Sequence, residues 1–185
     1  MLDHTVLRKG SIADSAAEEL LTMAVFGMDN NSLKTAQRYF TDCSLCFLED
    51  IGELHILHYG NYLFAFCFIL DKYGTDRAAR HLHIMSVVKS SRGQGLGRQL
   101  IERVISTNEG EPITLEALSD SKGFFEKVGF KSKSVSLGYG ITAMYLNGDG
   151  SDELFKFLTP SAKQLEFYGD RYVENCKRLG MYPNN

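Results

Sequence analysis

Apolar residues along this chain follow two spacings in turn, and each change of spacing predicts a new element. Two largely apolar runs at residues 54–59 and 62–70 flank Gly60 and Asn61, a pair typical of the tight turn of a β-hairpin. Further short runs of mostly apolar side chains, several of them β-branched, predict strands at residues 5–8, 81–88, 112–118, 135–139 and 141–146.

Other stretches carry apolar side chains three and four residues apart, the spacing of one face of an α-helix. Asn30 or Asn31 can start the second of these helices, and Ser119 or Asp120 can cap a short helix that carries Phe124. The longer helices are predicted at residues 13–25, 33–40, 96–105 and 162–179. The mixture of strands and helices predicts an α/β chain.

Composition excludes several classes of protein. The 185 residues suffice for one domain with a full core, and the hydrophobic (44%) and charged (23%) fractions are those of a globular protein. The net charge of −3, without a basic stripe, argues against nucleic acid as a partner. The longest apolar run, at residues 62–70, is too short to span a membrane, and the first residues do not look like a signal peptide. We therefore expect a cytoplasmic protein that does not bind membranes.

The cysteines are expected to be reduced structural thiols in such a compartment. Cys43 and Cys46 have the spacing of a metal or redox pair, but a second pair at metal-ligand spacing is missing, so no metal is expected. The remaining two cysteines are Cys67 and Cys176.

A Gly- and Asp-rich stretch at residues 147–152 predicts a boundary. We divide the chain into a main domain of residues 1–148 and a C-terminal helical extension of residues 149–185. The extension has an apolar patch at residues 154–158 and then helical spacing, so it is expected to pack on the main domain. A contact in a homodimer and a lid over a functional groove are the alternatives.

The most informative stretch is the strand at residues 81–88 followed by a turn that contains Gly93, Gly95 and Gly97. A glycine-rich turn that opens a helix directs free N–H groups and the positive end of the helix dipole at one point. That point favours an anion, most often a phosphate.

A dinucleotide-binding turn fits this stretch poorly. It needs a third glycine where Arg98 stands, although Glu116 lies where such folds place a ribose-binding acid. A Walker loop would need Gly-Lys-Ser/Thr, which is absent. The pattern that does fit is Arg-x-x-Gly-x-Gly, formed by Arg92, Gly95 and Gly97.

This pattern resembles the acyl-CoA pyrophosphate loop of the GNAT (Gcn5-related) N-acetyltransferase family. The segment at residues 122–130, Lys-Gly-Phe-Phe-Glu-Lys-Val-Gly-Phe, also looks like the helix and turn that follow in that family. The element order is similar over about residues 5–147. The resemblance implies a mixed, mostly antiparallel sheet, splayed around acyl-CoA and flanked by helices.

Acetyl-CoA is the cofactor that the resemblance implies, bound as a co-substrate. Backbone groups near Val87 and Val88 are expected to bind the pantetheine and polarise the thioester carbonyl. The full set of expected cofactor-binding residues is Met85, Val87, Val88, Arg92, Gly93, Gln94, Gly95, Leu96, Gly97, Arg98, Ser119 and Phe125.

His81 and His83 are the candidate catalytic residues. They are alternate residues of one predicted strand, so both are expected on one face of the sheet. Imidazole titrates near neutral pH, as a general base should. Their spacing from the glycine turn is similar to that in arylalkylamine N-acetyltransferases, which implies that they take the amine's proton through water. The alternative is two histidines that only form hydrogen bonds in a polar pocket. His55 and His58 are expected at the surface or in the hairpin.

Phe125 departs from the family pattern. The resemblance places a tyrosine there that protonates the leaving thiolate, and phenylalanine has no proton to give. A thiol is a tolerable leaving group without protonation. Water, Ser119, Ser121 or Tyr139 could substitute, and the sequence does not choose among them.

The function expected from these features is acetyl transfer from acetyl-CoA to the primary amine of a small molecule, by direct attack in a ternary complex. A non-catalytic acyl-CoA-binding module is one alternative, motivated by Phe125. Acetylation of a protein or peptide amine is another.

Overall fold

The computed structural model describes residues 1–28, 32–71, 79–148 and 158–182, with the backbone alone given for residues 135 and 136. The strands of this part of the chain are β1 (Asp3–Leu7), β2 (Gly52–Tyr59), β3 (Tyr62–Leu70), β4 (Arg80–Val87), β5 (Ile113–Leu118), β6 (Lys131–Ser136) and β7 (Ile141–Leu146). The α-helices described are α1 (Asp14–Phe26), α2 (Leu33–Leu48), α3 (Leu96–Thr107), α4 (Lys122–Lys127) and α5 (Ala162–Arg178).

The strands form a single mixed sheet in the order β1-β2-β3-β4-β5-β7-β6 over the described ranges. Neighbouring strands are antiparallel except β4 and β5, which are parallel. The parallel pairing ends at Leu82 and Leu115, although both strands continue. Beyond that pair β4 and β5 splay apart, and the gap between them opens at the middle of the sheet. The predicted fold class, a mostly antiparallel sheet flanked by helices, is confirmed.

Helices cover both faces of the sheet. On one face α1 and α2 pack with α5 over side chains such as Phe40, Phe66, Phe68 and Tyr172. Polar contacts also link α5 to α1: Arg171 Nη2 lies 2.6 Å from a Glu18 carboxylate oxygen, Arg178 Nη1 lies 2.6 Å from a Glu19 carboxylate oxygen, and Asn175 Nδ2 lies 3.2 Å from Thr22 Oγ1. The apolar residues at positions 33, 36, 40, 43 and 47 of α2 follow the helical spacing that buries one face.

The opposite face is covered by α3 and α4. Leu100, Ile101 and Val104 of α3 are buried against the sheet together with Phe125 of α4. The strongly amphipathic sequence of α3 explains this packing, since its charged residues alternate with a narrow apolar stripe. The start of α3 is thereby held against the glycine turn that precedes it.

Several predicted boundaries are wrong. Helix α2 starts after an N-cap at Ser32, whose hydroxyl accepts from Thr35 N–H, and continues to Leu48. The N-cap of α4 is Ser121, without a capping side chain. β6 starts at Lys131, because its pairing with β7 outweighs its weak alternation. The predicted features at residues 29–31, 72–78 and 149–157 lie outside the described residues.

A β-bulge at His83 interrupts β4. Ile84 pairs with Phe68 of β3, and Leu82 pairs with Ile69, so His83 is the extra residue. Leu82 therefore packs on the α3 face, whereas Ile84, two residues later, packs on the face of α1 and α2. Regular alternation would place both on one side.

Candidate active site

A cavity of about 600 Å³ occupies the gap between β4 and β5. The glycine turn and the start of α3 form one side of it, and α4 with the end of β5 forms another. The end of α1 and Tyr39 of α2 close the far side. The cavity thus extends from the predicted phosphate-binding turn to the helix pair at the opposite side of the splay.

Most predicted site residues line this cavity, and four do not. Those on its wall are His83, Met85, Val87, Arg92, Gly93, Gly95, Leu96, Gly97, Arg98 and Phe125. His81, Val88, Gln94 and Ser119 are not on the wall. Ser119 Oγ instead donates to the carbonyl of Gly140 (2.8 Å) and joins the end of β5 to the turn before β7.

The turn at residues 93–97 has the geometry of an anion site. Gly95, the N-cap of α3, has φ of 75°, a left-handed conformation that glycine adopts without strain. A Cβ at Gly97 would lie 3.3 Å from Val87 Cγ2, so the turn packs closely on β4. Gln99 N–H is bonded to the Gly95 carbonyl. The N–H groups of residues 96–98 precede it, lack an acceptor inside the helix, and can bind phosphate oxygens.

The two arginines of the turn differ in their contacts. Arg92 donates from Nε to the Val87 carbonyl (3.0 Å) and from Nη2 to the Gly27 carbonyl (2.6 Å). It thereby ties the turn to β4 and to the end of α1. Arg98 pairs with Glu102 one helical turn away (2.8 Å), on the exposed surface of α3.

The edge of β4 that faces the gap presents backbone groups to the cavity. Val88 N–H points the other way and donates to the Phe64 carbonyl of β3 (2.8 Å). Because successive N–H groups of a strand point to opposite edges, those of Met85 and Val87 point into the gap. These two amides are the backbone donors closest to the glycine turn on this strand.

The two histidines lie on the same face of the sheet, with ring centroids 6.4 Å apart. His81 is buried, and its Nδ1 lies 3.0 Å from Thr114 Oγ1. His83 is on the cavity wall, where its ring meets the Tyr39 ring edge-on at 5.4 Å. Burial, followed by the charge of Arg38, lowers the pKa of His83 to about 3. Burial also holds the pKa of His81 well below its usual value, with smaller contributions from His83 and Lys133. Both imidazoles are therefore neutral at pH 7, unlike the near-neutral titration expected from the sequence.

Sequence reasoning did not place Tyr39 or Glu116 on this wall, and it considered Glu116 only as a possible ribose-binding acid. Glu116 follows Leu115, the last residue of β5 that pairs with β4, and lines the cavity; its side chain is solvent-accessible, but the surrounding protein removes part of the water around its carboxyl group. Burial raises the pKa of Tyr39, as do the charge of Glu116 and then other neighbours, so these two side chains are close. The polar positions Thr114 and Glu116 within an apolar strand were a usable signal for Glu116. Tyr39 had none, because only the packing of α2 brings it here.

Comparison with known proteins identifies the domain that contains this cavity. Residues 54–139 match the family described as acetyltransferase (GNAT) domain. Over these residues, just under half of the chain, the sequence matches a GNAT acetyltransferase domain.

Individual relatives are distant in sequence. A protein of Pseudomonas phage PaMx11, named 5-NmdU N-acetyltransferase, is 26% identical over 90 residues, which are 47% of this chain and 63% of that protein. An acyl-CoA N-acyltransferase from Pseudomonas aeruginosa is similar in fold, with a TM-score of 0.62 at 19% identity over 79% of this chain and 99% of that one. The PaiA N-acetyltransferase of Thermoplasma acidophilum, solved with coenzyme A, has a TM-score of 0.56 at 12% identity over 78% and 98%.

The position where the resemblance implied a proton-donating tyrosine is occupied by Phe125, which has no acidic proton. Phe125 is buried among Phe124 and Phe130 and touches the cavity. Ser121 lies on the wall, but its hydroxyl donates to the Leu118 carbonyl (3.1 Å). Tyr139 is fully exposed and away from the wall.

His55 lies in a strand of the β2–β3 hairpin, one of the two places expected from the sequence, but not at the surface. It is completely buried, with Nε2 2.9 Å from Glu53 Oε1 and Nδ1 3.0 Å from His4 Nε2. Arg80 Nη2 binds the same Glu53 oxygen (2.5 Å), and Arg80 Nη1 donates to Asn108 at the end of α3 (2.8 Å). The GNAT sheet thus contains a buried ionic cluster separate from the cavity.

Metal and thiol chemistry find little support in the described ranges. Within them no group of three His, Cys, Asp or Glu side chains could hold a metal ion. The four cysteines are buried, and burial raises the pKa of each, to about 12 for Cys46. None of the helices in these ranges is both long and apolar enough to cross a membrane.

Proposed function

We propose that this GNAT domain transfers the acetyl group of acetyl-CoA to the primary amine of a small molecule. One observation carries the proposal: a single cavity joins the anion-binding turn at residues 93–97 to a polar wall that holds His83. A thioester bound along the gap would reach that wall. The phage relative named as an N-acetyltransferase supports nitrogen as the acceptor atom.

Coenzyme A would be held by backbone groups. The free amides at the start of α3 bind its pyrophosphate, and the amides of Met85 and Val87 face the pantetheine arm and the thioester oxygen. Arg92 keeps the turn in place through its two carbonyl contacts. Val88, Gln94 and Ser119 remain predicted cofactor contacts that lie off the cavity wall.

The chemistry needs a neutral amine. The ammonium loses one proton, its nitrogen attacks the thioester carbon, and the C–N bond forms. The C–S bond then breaks with its electron pair on sulfur, and the nitrogen loses a second proton. His83, neutral at pH 7, is the proposed proton acceptor, with His81 behind it as the next group of a relay.

Direct attack is favoured over an acetylated enzyme. The described cavity wall includes no cysteine, and buried thiols of raised pKa are poor nucleophiles. The sulfur would leave as the thiolate, since Phe125 cannot protonate it.

Phe125 also motivates a second candidate function, a module that binds acyl-CoA without turnover. The same site could instead accept a protein or peptide amine, if the cavity is reached by an extended chain. Both differ from the main proposal in what they predict for small amines.

The decisive experiment is thiol release from acetyl-CoA across a panel of small primary amines, with calorimetric binding of coenzyme A alongside. We expect release with a subset of amines. Binding without release for any amine would favour the non-catalytic module, and release with peptides alone would favour the peptide acceptor.

A matched pair of variants tests whether coenzyme A binds at the turn formed by residues 93–97. Gly95→Val puts a β-branched residue at φ 75° in the turn, and Gly110→Val does the same at φ 82° outside the cavity. Coenzyme A binding should be lost in the first and kept in the second. Equal binding in both would contradict the proposed site.

A further inference from the structure

The paired part of β4 and β5 fixes which side chains meet at the start of the splay. His81 is opposite Thr114, and Leu82 is opposite Leu115. His83 and Glu116 are the next residues of the two strands, and both line the cavity. Partners in a parallel pair project to the same face, so these two side chains stand on either side of the gap where it opens.

Tyr39 shows independently that the two groups belong to one wall. The centroid of its ring lies 5.4 Å from the centroid of the His83 ring, and burial, followed by the charge of Glu116, raises the pKa of its hydroxyl. All three side chains line the cavity. They come from α2, β4 and β5, so the wall is built by tertiary packing rather than by one segment.

The formal charges that act on the two histidines are both positive, so the histidines themselves do not provide a partner for a cation. Arg38 of α2 and Lys133 of β6 act on the two histidines and make them harder to protonate. An imidazole with so low a pKa cannot by itself stabilise a cationic amine beside it. Glu116 is the carboxylate on the wall beside His83, since it directly follows the paired part of β5; Asp120 also lines the cavity but lies beyond the end of β5, and Arg92, Arg98 and Lys127 are the cationic residues of the lining.

We infer that Glu116 is the residue that recognises the acceptor, binding the ammonium group of a cationic amine across the gap from His83. The inference rests on the proposed function and adds the substrate class: amines that are charged at neutral pH. Bound there, the ammonium nitrogen donates one hydrogen bond to the carboxylate and can give up its proton on the His83 side. The raised pKa of Glu116, caused by burial, also makes its carboxylate a better proton acceptor than a free one.

Glu116→Gln tests this inference, because it removes the charge and keeps the shape. The two probes are phenethylamine, a cation at neutral pH, and phenylacetic hydrazide, a neutral nucleophile of similar size. Each is titrated calorimetrically into the protein saturated with coenzyme A, and each is assayed for thiol release. Glu126→Gln is the control: it lies on α4, off the cavity wall, half exposed and 3.7 Å from Lys122.

We expect Glu116→Gln to weaken binding and kcat/KM for phenethylamine about 10- to 100-fold, the usual effect of losing a charged hydrogen bond. The hydrazide should change less than about threefold, and Glu126→Gln should change neither. Equal losses for both probes, or no loss for the amine, would overturn the inference.

The binding measurement separates this inference from the proposed function. Phenethylamine that binds wild-type protein, loses affinity in Glu116→Gln and releases no thiol would support Glu116 as the amine-binding residue and refute catalysis. Turnover that is unaffected in Glu116→Gln would support catalysis and refute Glu116. Wild-type protein that neither binds nor acetylates phenethylamine would overturn the inference.

Discussion

Arg80 and His81 are consecutive residues of β4, yet they enter two different polar clusters on opposite faces of the sheet. Arg80 joins the paired cluster, in which its guanidinium contacts Glu53, Asp71 and Asn108, and Glu53 in turn contacts His55. His81 joins the cavity cluster, which also contains His83, Tyr39, Thr114 and Glu116.

The two clusters differ because β4 and β5 are paired beside one of them and separated beside the other. β4 and β5 are hydrogen-bonded at residues 80–82, and there every partner of Glu53 is a protein group. Two residues later the strands part, and the polar side chains face open space instead. Removing one partner of a buried ion pair destabilises a fold because the other charge is left buried and unpaired, whereas polar groups on a cavity wall are available to a ligand. The same residue types are therefore enclosed by other protein groups at one end of β4 and line a cavity at the other.

The largest expected effect is a loss of stability when an ion pair is removed from the paired cluster. Glu53→Gln removes the more buried of the two carboxylates that Arg80 and Arg8 share, the other being Asp71, so we expect the free energy of unfolding to fall by about 3 kcal/mol. Chemical denaturation of this variant and of Glu49→Gln, an exposed control on α2's C-cap, measures the difference. Acetyl transfer per folded molecule should stay unchanged. A loss of activity without a loss of stability would mean that the two clusters are not separate.

The next largest effect is a loss of kcat when a histidine is removed from the cavity cluster. His83→Gln removes the proposed proton acceptor, and kcat at neutral pH should fall about 100-fold. Part of the loss should return at higher pH, where more of the amine is already neutral. His55→Gln is the matched variant in the paired cluster and should lower stability while leaving kcat unchanged. Unchanged pH–rate profiles in both His83→Gln and His81→Gln would exclude the histidines as the base.

The smallest expected effect is a difference in the pH range over which each cluster contributes to the free energy of unfolding. The folded pKa of His83, about 3, lies below the ordinary 6.5, so unfolding takes up a proton and stability falls as the pH drops below 6.5. Between about pH 7 and about pH 5 this histidine alone should cost about 2 kcal/mol, and His83→Gln should lose that part of the slope.

Glu53 should respond in a lower pH range. Burial alone would raise its pKa, but the His55 hydrogen bond and the Arg80 charge bring it down to about 2 from 4.5. Its contribution is therefore complete above pH 4.5 and is lost only below it. Denaturation curves taken at several pH values check both ranges. Equal slopes in wild type and His83→Gln above pH 5 would contradict the assignment.

Features whose conformation depends only on neighbouring residues could be predicted from the sequence. The Gly60–Asn61 hairpin and the turn at residues 93–97 were predictable, because their backbone conformations are set by glycine and by adjacent residues. The placement of His81 and His83 on one side of the sheet also followed from strand periodicity. These features were enough to indicate the fold family and the cofactor.

Tertiary structure alone decided which side chains meet. The bulge at His83, the burial of His55 against Glu53, and the convergence of Tyr39 and Glu116 on one wall all depend on strand register and helix packing between distant segments. Residue spacing contains no information about such register, because a strand pairs with partners that its own sequence does not name. The lowered pKa values of the histidines have the same origin, since burial is a property of the assembled fold. The sequence therefore predicted a coenzyme A site at residues 93–97, and the packing of α2, β4 and β5 decided which side chains line the cavity next to it.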